Sequence, residues 1–180
     1  ALPISAPRVF ADHVAMPFTI GFSRVYRELA AHGVHRHVVL IGSGKLGFPD
    51  EALLSMALGC DMVNVAREAM LAIGCIQAQR CHTGHCPTGV ATQNPWLMRG
   101  LAPTYKAARL ANYITVLRKE MLQIGRACGQ PHPALVPLDA FDILNSGFLA
   151  RPARLVFGYD GVAEPWTSSE AAGIAALMRA

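Results

Sequence analysis

His37-Val-Val-Leu-Ile-Gly-Ser-Gly-Lys-Leu-Gly47 and Asp61-Met-Val-Asn-Val-Ala-Arg67 are built alike. Each is a short apolar run that stops at small and basic residues just before a helix begins. The spacing predicts buried strands over 37–41 and 61–65. A helix lies between them from about Pro49 to Leu58, ended by Gly59. Pro49 suits a first helical turn, and Asp50 and Glu51 sit where the helix dipole favours acids. Strand, helix and strand in this order mean parallel strands joined by a crossover.

Working outward, Pro17 opens a helix closing near His32-Gly33, with Phe18, Ile20, Phe22, Val25, Tyr26 and Leu29 favouring one side. Residues 1–16 read as a loop or extended lead-in. Glu68 to Ile76 is helical, and Pro103 to about Gly125 is the longest helical pattern. The chain then turns proline-rich at Pro131, Pro133 and Pro137, and the tail reads as irregular with a short helix at 169–179. Two parallel strands cannot cover their own faces or edges. The chain is therefore expected to be the closing portion of a larger α/β unit.

Backbone N–H groups and a helix start at the carboxyl end of a parallel strand suit a phosphate. Ile41-Gly-Ser-Gly-Lys-Leu-Gly47 lies at one such end and Val65-Ala-Arg67 at the next. Lys45 supplies charge, and Arg67 can grip an anion two-pronged. The Gly-x4-Gly-Lys-Ser/Thr spacing of a Walker loop is absent.

The second signal is Cys75-Ile-Gln-Ala-Gln-Arg-Cys81-His-Thr-Gly-His-Cys86-Pro-Thr-Gly89, three of the chain's five cysteines in a Cys-x5-Cys-x4-Cys run. Thiolates are the ligands of iron–sulfur clusters and soft metals. Neither interval is the x2 spacing of a zinc knuckle or a redox pair. Three ligands suit a [3Fe–4S] cluster better than a closed tetrahedral zinc site. Thr83, Gly84, Thr88 and Gly89 are candidate donors to the sulfurs. His82 and His85 read as surface histidines, and Asn94-Pro95-Trp96 as packing for the loop. Cys60 and Cys128 read as ordinary buried thiols. Asp61, Glu68 and Asp160 read as surface or capping residues.

The composition is 52% hydrophobic and 16% charged, with sixteen basic against twelve acidic side chains. The excess of +4 is spread along the chain without a basic run, so no nucleic-acid surface is expected. No apolar stretch approaches the ~20 residues of a membrane span, and the first residues lack the pattern of a signal peptide. Clustered cysteines in odd number point to a reducing, cytoplasmic setting.

The stretch from Ser43-Gly-Lys through Ala57-Leu-Gly-Cys-Asp-Met-Val-Asn-Val-Ala-Arg67 and Ala72-Ile-Gly-Cys75 to Cys81-His-Thr-Gly-His-Cys-Pro-Thr-Gly-Val-Ala-Thr-Gln-Asn-Pro95 resembles the FMN-binding glutamate synthase family. The similarity runs from about Ala11 to about Pro133. The resemblance implies the C-terminal portion of a (β/α)8 barrel, about its last two strands with their helices. It adds an iron–sulfur loop and a helical C-terminal extension. Domain limits follow at 1–133 for the partial barrel and 134–180 for the extension. FMN phosphate contacts would fall on Gly44 and Lys45 after strand seven and on Ala66 and Arg67 after strand eight. Cys75, Cys81 and Cys86 would ligate a [3Fe–4S] cluster. Larger members have a second glycine at the Lys45 position and Gly-Thr at Ala66-Arg67.

The reaction implied is reductive formation of L-glutamate from 2-oxoglutarate and glutamine-derived ammonia, a step of ammonia assimilation. Strands one to six, with most of the flavin and 2-oxoglutarate contacts, lie outside this sequence, and no catalytic residue is assigned. The chain is therefore expected to act with the remaining barrel half or a homologous subunit. An electron donor, either an NAD(P)H-linked subunit or ferredoxin, is implied, with a glutaminase domain as a further partner. Two rival expectations are a zinc-binding structural module using the cysteines with His82 or His85, and a non-catalytic barrel remnant.

Overall fold

The computed structural model describes residues 2–4 through their backbone and residues 16–178 in full. It is a mixed α/β arrangement of helices around two small sheets. The first sheet is parallel, in the order β1 (Leu2–Ile4), β2 (Leu40–Ser43), β3 (Met62–Asn64). Helix α1 (Phe18–Ala31) lies between β1 and β2, and α2 (Pro49–Ala57) between β2 and β3. Strand β1 falls where a loop or extended lead-in was expected. Most of that lead-in, 5–15, is outside the described residues.

The two predicted strands form, and β2 is shifted toward the glycines. Val34–His37 makes a 3-10 turn, entered through Gly33 in the left-handed region at φ 67°, and this uses up the start of the apolar run. Asp61 then fixes the new start. Its Oδ2 accepts from Leu40 N at 2.7 Å, and its own N–H donates to Leu40 O at 3.0 Å. Asp61 is thus a clamp between strands, with a partner the sequence reading did not foresee. Helix α3 (Arg67–Ala72) is shorter than expected. Gly74 turns left-handed at φ 104°, Gly74 N donates to Leu71 O and Cys75 N to Met70 O. That pairing is a Schellman close, which halts the helix just before Cys75.

The main core runs under β2. Phe22 and Tyr26 of α1, Leu40, Leu58 and Cys60 are buried together with Leu138, Ala153 and Tyr159 of the tail. Tyr26 and Tyr159 stack with ring centroids 5.7 Å apart. Their hydroxyls donate to Ala163 O at 3.1 Å and Leu58 O at 2.6 Å, so neither buried oxygen is orphaned. A second cluster joins Ala52 and Leu53 of α2 to Leu117 and Met121 of α4 (Pro103–Ala127) and to Val136.

The tail is more regular than its weak periodicity suggested. It contains an antiparallel pair, β4 (Asp142–Leu144) with β5 (Ala150–Pro152), then α5 (Ala153–Phe157) and α6 (Ser168–Leu177). Arg154 holds it together, reaching Asp139 at 2.8 Å and Glu164 at 2.7 Å. Thr167 and Glu170 form a capping box at the start of α6. No helix among the described residues is long and apolar enough to cross a membrane.

Candidate functional site

The register of the parallel sheet sets the first half of the site. Ser43 of β2 lies opposite Asn64 of β3, so both strands end at the same level. Gly44 and Lys45 follow one end; Ala66 and Arg67 follow the other, and all four are exposed. Lys45 takes the left-handed conformation at φ 62°, which turns the chain sharply out of the sheet. Lys45 and Arg67 join no ion pair among the described residues, so both charges stay free for an anion.

The floor of this loop is tightly built. A Cβ placed on Gly47 would stand 2.4 Å from Cγ of Glu68, so only glycine lets the loop after β2 lie on α3. From the other side, the Tyr113 hydroxyl of α4 donates to Gly47 O at 2.7 Å. Burial, with Glu68 close by, pushes the Tyr113 hydroxyl pKa up. Glu68 itself is buried, and its Oε2 has no hydrogen-bond partner among the described residues. This corrects the expectation of a surface or capping acid. A glutamate in the first turn of a helix reads as dipole-favoured and exposed, and only the Gly47 contact hides it.

The second half is the cysteine loop. Cys75 is half-buried where α3 closes, and its Sγ accepts from Gln77 N at 3.4 Å. Cys81 is exposed in a short 3-10 turn, Cys81–Thr83. Cys86 is buried, and its sulfur lies 3.5 Å from the Thr88 hydroxyl. The Thr88 hydroxyl and the backbone N–H groups of Ala91, Thr88 and Val90 draw the Cys86 thiol pKa down to about 7. Hydrogen bonds to the sulfur favour the thiolate, and the cover comes from its own turn, so desolvation opposes them only weakly. His82 and His85 are exposed, as expected.

The frame of the loop lies further along. Thr92 donates to Gly84 O, and Asn94 Oδ1 accepts from Trp96 N at 2.9 Å and Leu97 N at 3.3 Å. Gly89, at φ 78°, passes so close to the next turn that an added Cβ would stand 2.3 Å from Leu97 O. The loop is therefore packed by backbone contact. Trp96, expected to pack it, is 71% exposed, with Arg99 lying 4.7 Å over its ring.

The fold ends β2 and β3 at one level, with Gly44 and Lys45 following one strand and Ala66 and Arg67 following the other. It does not bring the three sulfurs to one point. Among the described residues no group of three His, Cys, Asp or Glu could hold a single metal ion. Thr88, Thr92, Asn94, Tyr113 and Glu68 carry structural roles in the site. Of these, Thr88 and Asn94 had a signal in the sequence, Thr88 two residues after a cysteine and Asn94 in the stretch expected to pack the loop.

A family model described as a conserved region in glutamate synthase matches residues 5–130. The glutamate synthase large subunit-like protein YerD of Bacillus subtilis is 38% identical over 123 residues, which is 68% of this chain and 23% of that protein. The archaeal glutamate synthase [NADPH] of Methanocaldococcus jannaschii is 36% identical over 125 residues, 69% of this chain and 24% of that protein. A glutamate synthase large subunit-like protein of Rhizobium meliloti is 34% identical over 140 residues, 69% of this chain and 32% of its own length. The chain thus spans between about a quarter and a third of these curated relatives. The matched segment contains both strand ends and the whole cysteine loop, and by it the chain belongs to the glutamate synthase family.

Proposed function

We propose that this chain forms part of a glutamate synthase-type oxidoreductase, supplying the FMN phosphate site and a [3Fe–4S] loop from the C-terminal portion of a (β/α)8 barrel. The reaction it serves is reductive formation of L-glutamate from 2-oxoglutarate and glutamine-derived ammonia. One observation carries the proposal. Within the matched segment, two neighbouring parallel strand ends present free Lys45 and Arg67, and the next loop ends in a sulfur already ringed by donors. In barrels of this class phosphate binds at the loops after strands seven and eight.

The residues divide the work. Gly44 and Ala66 leave their backbone N–H groups open to the phosphate, while Lys45 and Arg67 neutralise it. Tyr113 and Glu68 hold the loop that carries Lys45. Cys75, Cys81 and Cys86 are the cluster ligands, and the N–H and hydroxyl donors at Cys75 and Cys86 offset thiolate charge and tune the potential. When both groups are bound, the flavin holds electron pairs and the cluster passes single electrons.

The donor chemistry fits a cluster. A structural zinc site needs four ligands drawn onto one ion, and the loop does not converge in that way. Three thiols, with an N–H donor at Cys75 and hydroxyl and N–H donors at Cys86, are the soft donor set an iron–sulfur cluster would take. The remaining barrel strands, an electron donor and a source of ammonia come from outside this segment. Anaerobic purification with the neighbouring barrel portion is the test. Bound FMN, with iron and acid-labile sulfide in the proportion of a [3Fe–4S] cluster, is expected. Serine at 75, 81 and 86 together should remove the iron and leave the flavin. Iron content unchanged by the triple replacement would end the proposal.

A further inference from the structure

A groove far along α4 from the cysteine loop has no place in the function proposed above. It is a half-open hollow of about 240 Å³ beside α2 and α4, with Met56, Leu117, Met121 and Met178 among its walls. Among the described residues two polar side chains line it, Arg118 and His132, and no acid does. Arg118 makes no ion pair among the described residues. His132 Nδ1 accepts from Ala134 N at 3.1 Å, which puts the ring proton on Nε2 and makes that atom a donor. Burial and the Arg118 charge pull the His132 pKa down, so the ring is a neutral donor and the guanidinium is the cation of the site.

From this we infer that the groove is a binding site for a small aliphatic carboxylate. Its tail lies among the methionines and Leu117, and its head group accepts from Arg118 and from His132 Nε2. The chemistry is selective in three ways. An apolar wall with a few convergent polar groups is the usual make-up of a small-ligand site. A guanidinium matches a carboxylate two-pronged, and with no acid in the groove an ammonium head would face only repulsion. A hollow of about 240 Å³, open to solvent along one side, suits a short chain, and hexanoate is the probe chosen for it. Methionine walls adapt to a flexible chain. The groove is built on the helices that also hold the loop after β2: α2 begins two residues past Gly47, and Tyr113 of α4 bonds Gly47 O. The inference does not depend on flavin or iron.

The test uses the full chain with hexanoate, hexan-1-ol and hexylamine as probes, followed by calorimetry and saturation-transfer NMR. Hexanoate should bind at least tenfold more tightly than the alcohol, and the amine should not bind. Arg118→Gln, a change at an exposed position, should erase the preference for hexanoate over hexan-1-ol. Ile114→Trp, on the groove's exposed rim, should weaken both probes by tenfold or more. Equal binding of alcohol and acid, or an acid preference that survives Arg118→Gln, overturns the inference. So does the absence of hexanoate binding in chain whose circular dichroism shows native helix content.

Discussion

The core beneath β2 and the cysteine loop each bury one thiol, and they treat it in opposite ways. Cys60 is packed beneath β2 among Phe22, Tyr26 and Leu58, and burial pushes its pKa up to about 12. Cys86 is covered by a single turn of backbone whose donors point at the sulfur, and its pKa falls to about 7. The backbone that delivers Cys60 is one the chain uses twice. Cys60, like Cys75, comes directly after a left-handed glycine that ends a helix by a Schellman pairing. Exposure therefore does not separate a core thiol from the thiol proposed as a cluster ligand. Cys60 also receives the Gly42 N–H, but burial outweighs that one bond, whereas at Cys86 the Thr88 hydroxyl and several N–H groups outweigh burial.

The sharpest way to break the contrast is to remove the core's aromatic centre. Phe22→Ala, at a fully buried position, should cost about 3–5 kcal/mol in denaturant unfolding. Cys81→Ser in metal-free protein should stay within about 0.5 kcal/mol, because that side chain is exposed. A loop mutant as damaging as the core mutant would mean that the two regions fold as one packing unit. Tyr159→Phe comes next. It strips the donor from the buried Leu58 carbonyl and should cost about 1–3 kcal/mol with the stack otherwise intact.

Gly89→Ala tests the loop's backbone packing. The forced contact with Leu97 O, added to a left-handed φ, should cost about 1–3 kcal/mol. Trypsin cleavage at Arg80 or Arg99 in the native chain should quicken in parallel. The smallest effects are those of pH. In metal-free protein the Cys86 thiolate is favoured by folding, so its contribution is present above the ordinary thiol value and is lost as pH falls through about 7. Cys60 runs the other way. Above the ordinary value the unfolded chain sheds a proton that the folded thiol keeps up to about 12, so its share of stability falls as pH rises. Iodoacetamide mapping should show Cys86 alkylation rising with a midpoint near pH 7, moved upward by Thr88→Val, and Cys60 unreactive at pH 8.

Much of the arrangement was readable from residue order. Pro49 with Asp50 and Glu51 marked α2, and the two apolar runs marked β2 and β3, because helix starts and buried parallel strands leave strong local signals. The β4–β5 pair was missed, since Asp142-Ile-Leu144 and Ala150-Arg-Pro152 hold no sustained apolar run of the kind that marked β3. The three-residue shift of β2 came from Asp61, a contact across twenty-one residues that no local window contains. The site divides the same way. Cysteine spacing and strand-end cations are local patterns. The burial of Glu68 and the Tyr113 bond to Gly47 arise only when α3 and α4 meet the loop.

Strand β3 pairs with β2 on one side and with no strand of the described residues on the other. A bare parallel rim of this kind offers unmet donors and acceptors to whatever extended peptide arrives first. Met62, half in solvent, adds grease to that rim. Unless something outside the described residues covers this flank, self-association through it is the expected behaviour of the purified polypeptide, and sedimentation velocity over a range of concentrations is the measurement that checks it.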